Sequence, residues 1–438
     1  MRNVNIGLIG YGTVGSGVAI FIKKKGNYIK KKFGVNLSIK AICDLDIHKK
    51  NINSLNKDIM LTTSYEDIVG ADNIDTVVEL IGGLHPAKEI AEKAIRAGKY
   101  FVTANKALIS NFGNILFRLA DKYRKSIFFE SSVCAGVPII KTITEGIAGN
   151  SFDGIYGIVN GTCNFILSEM TKNRCSFEDA VKAAQKKGYA ESDPTLDING
   201  MDTAHKLAIM ISLGFGKFIR VKDIYTEGIT HISGEDIEYA ESLGLVIKLL
   251  AISKKVSSPN TKTSDEIEAR VHPTLIAKGH PLASINGIYN AVFFQTSPLG
   301  DILISGEGAG QMAAASGVIS DLINLASGHV NTSALRNIYS EGKGLKIRKI
   351  DQIQTKFYIR FMVTDKPGVL SKISGILGRH GISINSVTQR AHNRLSTVPV
   401  VMLTDYTSER NIRMALSQIN RLSVVRDKPV AIRMEKLQ

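Results

Sequence analysis

Residues 4–21 read VNIGLIGYGTVGSGVAIF. The apolar run VNIGLI has the length and composition of a buried strand, and Val18 to Phe21 suit a helix. Between them Gly10, Gly12 and Gly15 are spaced as GxGxxG, with Tyr11, Thr13 and Val14 filling the turn. The first glycine permits a tight turn, the second lets backbone approach a pyrophosphate, and the third lets helix and strand pack closely. The helix N-terminus then offers unpaired N–H groups to phosphate oxygens. Strand, glycine turn and helix, starting this near the N-terminus, predict a Rossmann-type dinucleotide-binding unit.

Working outward, LSIKAIC (37–43) reads as the second strand and ends at Asp44. A carboxylate there would accept hydrogen bonds from the adenosine ribose and disfavour a 2′-phosphate, although Lys49 and Lys50 stand nearby. The balance favours NAD over NADP. IDTVVELIGG (74–83) with a helix over 86–97, then KYFVTANKALIS (99–110) with a helix over 111–124, continue the alternation. The fold class is α/β, with a doubly wound parallel sheet first. Lys106 falls where a strand of that sheet would end, the side on which such sheets bind ligands. IFFESSVCAGVPII (127–140) is read as another strand running into a small-residue loop, and GIYGIVNGTCNFIL (154–167) as strand, turn and helix. Backbone N–H groups at Gly161 and Thr162 would open that helix and could hold a carboxylate.

Residues 188–206 read GYAESDPTLDINGMDTAHK. Pro194 and Gly200 break regular structure, so Glu191, Asp193 and Asp197 fall on a loop, whereas Asp202 and Lys206 lie one turn apart on a following helix. Carboxylates beside a lysine suit a small zwitterion, the acids taking its ammonium group and the lysine its oxygen. An ordinary ion pair on a solvated helix fits the spacing equally well. Strands IEARVHPTLI and GIYNAVFFQT follow, and Gly306, Gly308 and Gly310 form a second glycine-rich turn before a helix over 311–326.

The tail, from Lys356 on, alternates as βαββαβ, the order of a ferredoxin-like unit. The expected divisions are a dinucleotide-binding domain over 1–130, completed by about 305–330, and an α+β catalytic and dimerisation domain over 131–304. A linker over 331–355 and a regulatory domain over 356–438 follow.

Composition sets bounds. The chain has 438 residues, 44% hydrophobic and 22% charged, which suits two or three soluble domains. No apolar run reaches the roughly 18 residues of a membrane span. Four cysteines without a CxxC pair suggest a reduced, cytoplasmic setting. The net charge of +15 could serve nucleic acid, but tryptophan is absent and aromatics are not interleaved with the lysine runs. Solvated faces or a small anionic ligand account for it more simply.

The runs GLIGYGTVGSGV, VELIGG, VTANKAL, ESSVCAGVPII, GIVNGTCNFIL, GYAESDPTLDINGMDTAHKLAI and GEGAG, in this order, resemble the homoserine dehydrogenases along the whole chain. TDKPGVLSKIS and GISI in the tail are similar to an ACT domain, a small module that often binds amino acids. The resemblance implies NAD- or NADP-dependent interconversion of L-aspartate 4-semialdehyde and L-homoserine, on the route to threonine and methionine, by a homodimer or homotetramer. It makes Lys206 the proton donor to the aldehyde oxygen, with Asp202 beside it, and Lys106 a contact to cofactor and substrate. Glu191 and Asp197 become substrate-binding acids, with Tyr189, Gly161 and Thr162 lining the same pocket. Gly308 joins Gly10 to Gly15 and Asp44 around the cofactor. Backbone carbonyls of Glu130, Val133, Ala135 and Val137 correspond to a monovalent cation site, with Na+ the expected ion. The chain departs from the pattern at Leu45, where many members have a basic residue, and at Cys163, where a second threonine is common.

Hydride addition to an aldehyde leaves negative charge on oxygen, so a cationic donor is needed in the transition state. Two lysines in one pocket each make the other's proton easier to release. Two other readings are open. A phosphorylating semialdehyde dehydrogenase would need a cysteine nucleophile, for which Cys134 is the candidate. A non-catalytic amino-acid sensor would keep the fold but has no use for Lys106, Glu191, Asp202 and Lys206 together. The tail implies feedback control by threonine, through the turn Asp365 to Leu370 and contacts near Asn385. A chain ending near residue 350 is the expected comparison for tail-mediated inhibition.

Overall fold

A computed structural model describes residues 2–50, 52, 56, 58–256, 266–328, 335, 338, 345–389 and 397–437. Residues 331–334, 336–337 and 339–344 of the linker expected over 331–355 lie outside them, as do Arg390 and Ser396 at the ends of two expected tail strands. The chain forms two compact units that interleave along the sequence. The first is built from residues 1–159, 203–223 and 288–345, the second from 160–202, 224–287 and 346–438. The first unit takes in the stretch near 305–330, whereas residues 131–304, read from the sequence as one domain, are divided between the two units.

The first unit starts with β1 (Arg2–Ile9), β2 (Val35–Cys43), β3 (Met60–Thr62), β4 (Thr76–Glu79), β5 (Tyr100–Thr103) and β6 (Ile127–Phe128). They pair all parallel in the order β3-β2-β1-β4-β5-β6. The helices α1 (Thr13–Phe33), α2 (Tyr65–Val69), α3 (Ala87–Arg96) and α4 (Lys106–Lys122) alternate with the strands. The helix read through Phe21 continues to Phe33, so the lysine runs are its outer face. Lys30, Lys31 and Lys32 occupy its last turn, where cations offset the helix dipole, before Gly34 ends it at φ 68°. One strand is shorter than expected: KYFVTANKALIS gives only β5, with Lys106 opening α4. IFFESSVCAGVPII gives the short β6 and then turns, in the expected order of strand and loop.

The chain continues with β7 (Ser151–Ile158), α5 (Gly161–Asn173), α6 (Phe177–Lys186), the short α7 (Thr195–Ile198) and α8 (Met201–Phe215). Next come β8 (Tyr225–Thr226), α9 (Gly234–Ser242), β9 (Leu245–Lys255), β10 (Glu266–Ala277), β11 (Tyr289–Ser297), β12 (Gly300–Glu307) and α10 (Gln311–Ser327). Within the first unit β11 pairs antiparallel with both β7 and β12. Helix α10 completes the core around β1: Ala315, Val318, Ile319, Leu322 and Ala326 cluster with Ile6, Leu8 and Val18. Gly17 lets the two helices meet, since a Cβ there would fall 2.7 Å from Gln311 Cγ.

The tail contributes β13 (Lys346–Ile347), β14 (Gln354–Thr364), α11 (Val369–Arg379), β15 (Ile384–Gln389), β16 (Thr397–Thr404), β17 (Thr407–Ser408), α12 (Glu409–Ile419) and β18 (Val430–Met434). Its antiparallel order β18-β14-β16-β15 is the expected ferredoxin-like sheet, backed by Ile373, Ile376, Leu377, Ile412 and Ile419. It is not a separate body. β18 pairs parallel with β10, Thr274 opposite Arg433 and Leu275 opposite Met434, so one sheet runs through the second unit from β9 to β15. Arg348 and the β13 pairing also tie part of the expected linker to β10.

Candidate active site

Each glycine of the first turn has a different physical reason. Gly10 sits at φ 97°, and a Cβ on it would lie 2.8 Å from the Leu80 carbonyl. On Gly15 a Cβ would lie 2.0 Å from the Gly10 oxygen, so no other residue lets α1 start this close to the turn. Gly12 has open space where its Cβ would be. A closed turn with an open, exposed middle glycine is the cradle a pyrophosphate requires, so these residues fit a dinucleotide. Thr13 and Val14 open α1 directly behind it.

Asp44 follows β2, and its carboxylate is already engaged. Oδ2 accepts from the Tyr11 N–H at 2.7 Å and from Lys50 Nζ at 2.7 Å, and Oδ1 accepts from the Asp46 N–H. Burial works against the charge, but Lys50 and the two N–H groups hold the carboxyl below its usual range. Lys50 also donates to the Tyr11 carbonyl, so it braces the turn, while Lys49 pairs with Asp46 in solvent. Leu45 is 86% exposed beside them.

The carboxyl ends of β4 and β5 hold a network that sequence reading missed. Glu79 is fully buried; it accepts from the Ile81 and Gly82 N–H groups and from Thr103 Oγ1. Thr103 in turn accepts from the Asn105 N–H, and Asn105 caps α4 by accepting from the Leu108 N–H while donating to the Gly83 carbonyl. Burial raises the Glu79 pKa despite those donors. The result fixes Lys106 as the first residue of α4, its side chain half-buried.

Gly308 is glycine for a local reason. A Cβ there would fall 2.0 Å from Asn290 Cγ. The Asn290 amide is buried, and neither its nitrogen nor its oxygen has a hydrogen-bond partner among the described residues.

Asn160 organises the acids. Its Nδ2 donates to Asp197 Oδ1 at 2.7 Å and to Asp202 Oδ2 at 2.8 Å, and its Oδ1 caps α5 by accepting from the Cys163 N–H. Asp202 is 7% exposed, which removes the reading of a solvated helix face. Cys163, the departure from the common threonine, donates through Sγ to the Asp197 carbonyl at 3.2 Å, as a hydroxyl could. Gly161 and Thr162 open α5, with Thr162 Oγ1 donating to the Tyr189 carbonyl. Lys206 lies one turn beyond Asp202 on α8, and its Nζ donates to the Val159 carbonyl at 2.7 Å. The loop acids are spread out. Glu191 is exposed with its carbonyl accepting from Gln185, Tyr189 is 41% exposed against Phe165, and Asp193 turns back on Thr195. Asn160 was not singled out in the sequence, although an asparagine three residues before an N–H it can cap is a readable signal.

A buried cation supports the same helix. Lys248, 1% exposed, donates to Asn164 Oδ1 on α5, to the Ile285 carbonyl and to Asn286 Oδ1. Burial among neutral oxygens pushes its pKa down to about 8. An unfolded lysine titrates near 10.4, so between pH 8 and that value the unfolded chain binds more proton and stability rises with pH. Below pH 8 the group is charged in both states and the slope vanishes. Urea unfolding of the parent and of Lys248→Met, at pH 7.5 and 9.5, is expected to show a difference in stability that shifts in the parent's favour at the higher pH. A pH-independent difference would refute this.

Cys134 is 1% exposed, in the core of the first unit. It and Ala135 take positive φ values, 55° and 43°, which curl the backbone between Val133 and Val137. Val137 N–H donates to the Cys134 carbonyl, and the Glu130 carboxylate accepts from the Ile140 and Lys141 N–H groups. Burial raises the Glu130 pKa to about 7, and Asp321, which accepts from the Glu130 N–H, is pushed up as well.

Residues 138–323 match the model of the homoserine dehydrogenase family, and 10–130 match the homoserine dehydrogenase NAD-binding domain. Homoserine dehydrogenase of Neisseria gonorrhoeae is 40% identical over 443 residues, covering 100% of both chains. The chain belongs to the homoserine dehydrogenase family. Residues 357–421 match the ACT domain. A crystal structure of homoserine dehydrogenase from Thiobacillus denitrificans superposes with a TM-score of 0.89 at 37% identity, covering 99% of each chain. A hyperthermophilic archaeal homoserine dehydrogenase in complex with NADPH has a TM-score of 0.61 at 27% identity, over 74% of this chain and 97% of that one. The activity is therefore the nicotinamide-dependent interconversion of L-aspartate 4-semialdehyde and L-homoserine. Thioester chemistry at buried Cys134 and a non-catalytic sensor both give way to it.

Proposed function

We propose that Lys206 donates the proton to the aldehyde oxygen in reduction and removes it from the hydroxyl in the reverse direction. The observation that carries this is its place on α8, one turn beyond the buried Asp202, whose carboxylate is tied to Asn160. Asp202 orients the helix, and Lys106 adds a second cation near the oxygen as charge develops. The bound nicotinamide supplies hydride to the carbonyl carbon or takes it from the alcohol. Asp197 and Glu191 bind the substrate ammonium, Glu191 from an exposed loop that must come to it. Gly161 and Thr162 present the N-terminus of α5 to the substrate carboxylate, with Tyr189 beside them.

The cofactor reading rests on Gly10 to Gly15, Lys106 and Gly308, and its preference on Asp44 and Leu45. A carboxylate followed by an exposed leucine favours the ribose hydroxyls of NAD over a 2′-phosphate. We also propose a monovalent cation, Na+, on the carbonyls of Glu130, Val133, Ala135 and Val137, supported by the curled backbone at Cys134 and Ala135. Threonine is the proposed effector at the turn Asp365 to Leu370 and Asn385, in a homodimer or homotetramer working in the cytoplasm. Among the described residues no helix is long and apolar enough to cross a membrane.

Homoserine oxidation followed over a range of NAD or NADP concentrations, with and without threonine, tests these assignments together. The expected result is a kcat/KM at least fivefold higher with NAD and inhibition by added threonine. A preference for NADP would overturn the role given to Asp44, and indifference to threonine the role given to the tail.

A further inference from the structure

We propose that Arg433, on the last strand of the tail, is a positioning residue for the substrate acid Asp197, acting through Glu227 and the segment Tyr225–Ile229. The inference rests on the reading of Asp197 as a substrate-binding acid.

Arg433 is 4% exposed and every nitrogen of its guanidinium is engaged. Nη1 donates to Glu227 Oε2 at 2.8 Å, Nη2 to Tyr225 Oη at 3.1 Å and Glu409 Oε1 at 2.6 Å, and Nε to Glu409 Oε2 at 2.9 Å. Tyr225 also donates to Glu227 Oε2, and its ring lies 5.0 Å from the guanidinium. Glu409 belongs to α12 of the tail, so the tail supplies both the arginine and one of the carboxylates that aim it. The remaining carboxylate, Glu227, belongs to the segment after β8. A planar fork held on several sides fixes the place of what it grips far better than a single ammonium would.

What Arg433 grips leads directly to Asp197. The Glu227 N–H donates to the Val271 carbonyl on β10, continuing the β8 pairing. The next residue, Gly228, lies so close to α7 that a Cβ would fall 2.0 Å from the Ile198 oxygen and 2.6 Å from Asn199 Cα. Ile229 N–H then donates to that same Ile198 oxygen at 2.9 Å. From the other side Gly200, at φ 86°, would bring a Cβ to 3.0 Å from Thr226 Cγ2 and 3.3 Å from the Glu227 oxygen. The segment is therefore pressed along the end of α7, the helix that carries Asp197, and Asp197 Oδ1 meets Asn160 at 2.7 Å. Packing this close has little give, so a shift at Glu227 moves α7 rather than being absorbed.

The test is a double-mutant cycle on the full chain, with kcat and the KM values for homoserine and for cofactor measured separately and thermal unfolding followed in parallel. Arg433→Lys keeps the charge and loses the fork. It is expected to raise the homoserine KM at least fivefold while the cofactor KM stays within twofold. Asp197→Asn is expected to raise the homoserine KM as well, and Arg433→Lys added to it should bring no further rise, because both act through one contact. An arginine that only stabilised the fold would leave the homoserine KM unchanged, raise both KM values alike, or add in full to Asp197→Asn. Any of these overturns the proposal. An unchanged homoserine KM in Asp197→Asn itself would remove Asp197 from the substrate site, and the proposal falls with it. Should Arg433→Lys not fold, Glu227→Gln, which weakens the same contact from its other side, takes its place in the cycle with the same expected and contrary results.

Discussion

Lys206→Ala is expected to lower turnover about 10³-fold, in the range general acid catalysis supplies, with the cofactor Kd changed less than twofold. Lys206 is half-buried on α8 with its Nζ on the Val159 carbonyl, at the end of β7 and next to the start of α5. It lies outside the glycine turn and the Asp44–Lys50 brace, which are the groups proposed to hold the dinucleotide. Removing it takes away a donor used when charge forms on oxygen, so kcat and kcat/KM for homoserine should fall together. Steady-state kinetics with a fluorescence titration of NADH would check both halves. Parental turnover would remove Lys206 from catalysis, and a lost cofactor affinity would place it in the wrong part of the site.

The second large effect concerns the tail. A chain ending after residue 350 is expected to yield no soluble, cooperatively folded protein, so it cannot serve as the comparison that the sequence suggested for threonine inhibition. Arg270 is fully buried on β10, donating to Glu268, to His272 and to Glu435 beyond β18. Asp236 on α9 accepts from Arg360 at 2.7 and 3.0 Å and from Tyr358, both on β14. Removing one member of a buried ion pair costs about 3–5 kcal/mol, and truncation breaks the pairs at Glu435, Arg360 and Arg433 at once. Whole-domain stability is commonly only about 5–15 kcal/mol. The same cut also strips β18 from β10. Circular dichroism and sedimentation of the truncated chain would decide it. A folded truncated enzyme oxidising homoserine at the parental rate would show these ties to be dispensable.

Much of this was legible in the sequence because it is local. Gly10, Gly12 and Gly15 announce a turn whose sterics hold residue by residue, and the tail's alternation of β-branched runs with Gly and Pro gives its βαββαβ order. Within 188–206, Asp202 and Lys206 fall on one helix as spacing predicts, whereas Asp197, expected on the preceding loop, lies on the short helix α7 because Pro194 starts a helical turn there. Local patterns mislead where two structures suit the same residues. TANKALIS alternates well enough for a strand, but Asn105 accepting from the Leu108 N–H starts α4 two residues beyond β5. Other features depend on partners far along the chain. Glu79 looks like an exposed strand end until Thr103 and the 81–82 backbone surround it, and nothing near Arg433 indicates Glu227 or β10. Cys163 looked like a departure, yet its thiol keeps the contact to Asp197 that a hydroxyl would make.

The interleaving of the two units has a consequence for how the chain is made. The core over β1 includes Ala315, Val318, Ile319 and Leu322 from α10, so the amino-terminal half is synthesised with one apolar face waiting for a cover encoded near residue 320. Domains generally fold as units while they leave the ribosome, but this one leaves with its own lid still to be translated. The second unit, finished by β18 at the far end, waits longer still. The apolar surface over β1 therefore stays uncovered by α10 until about three quarters of the chain has been translated.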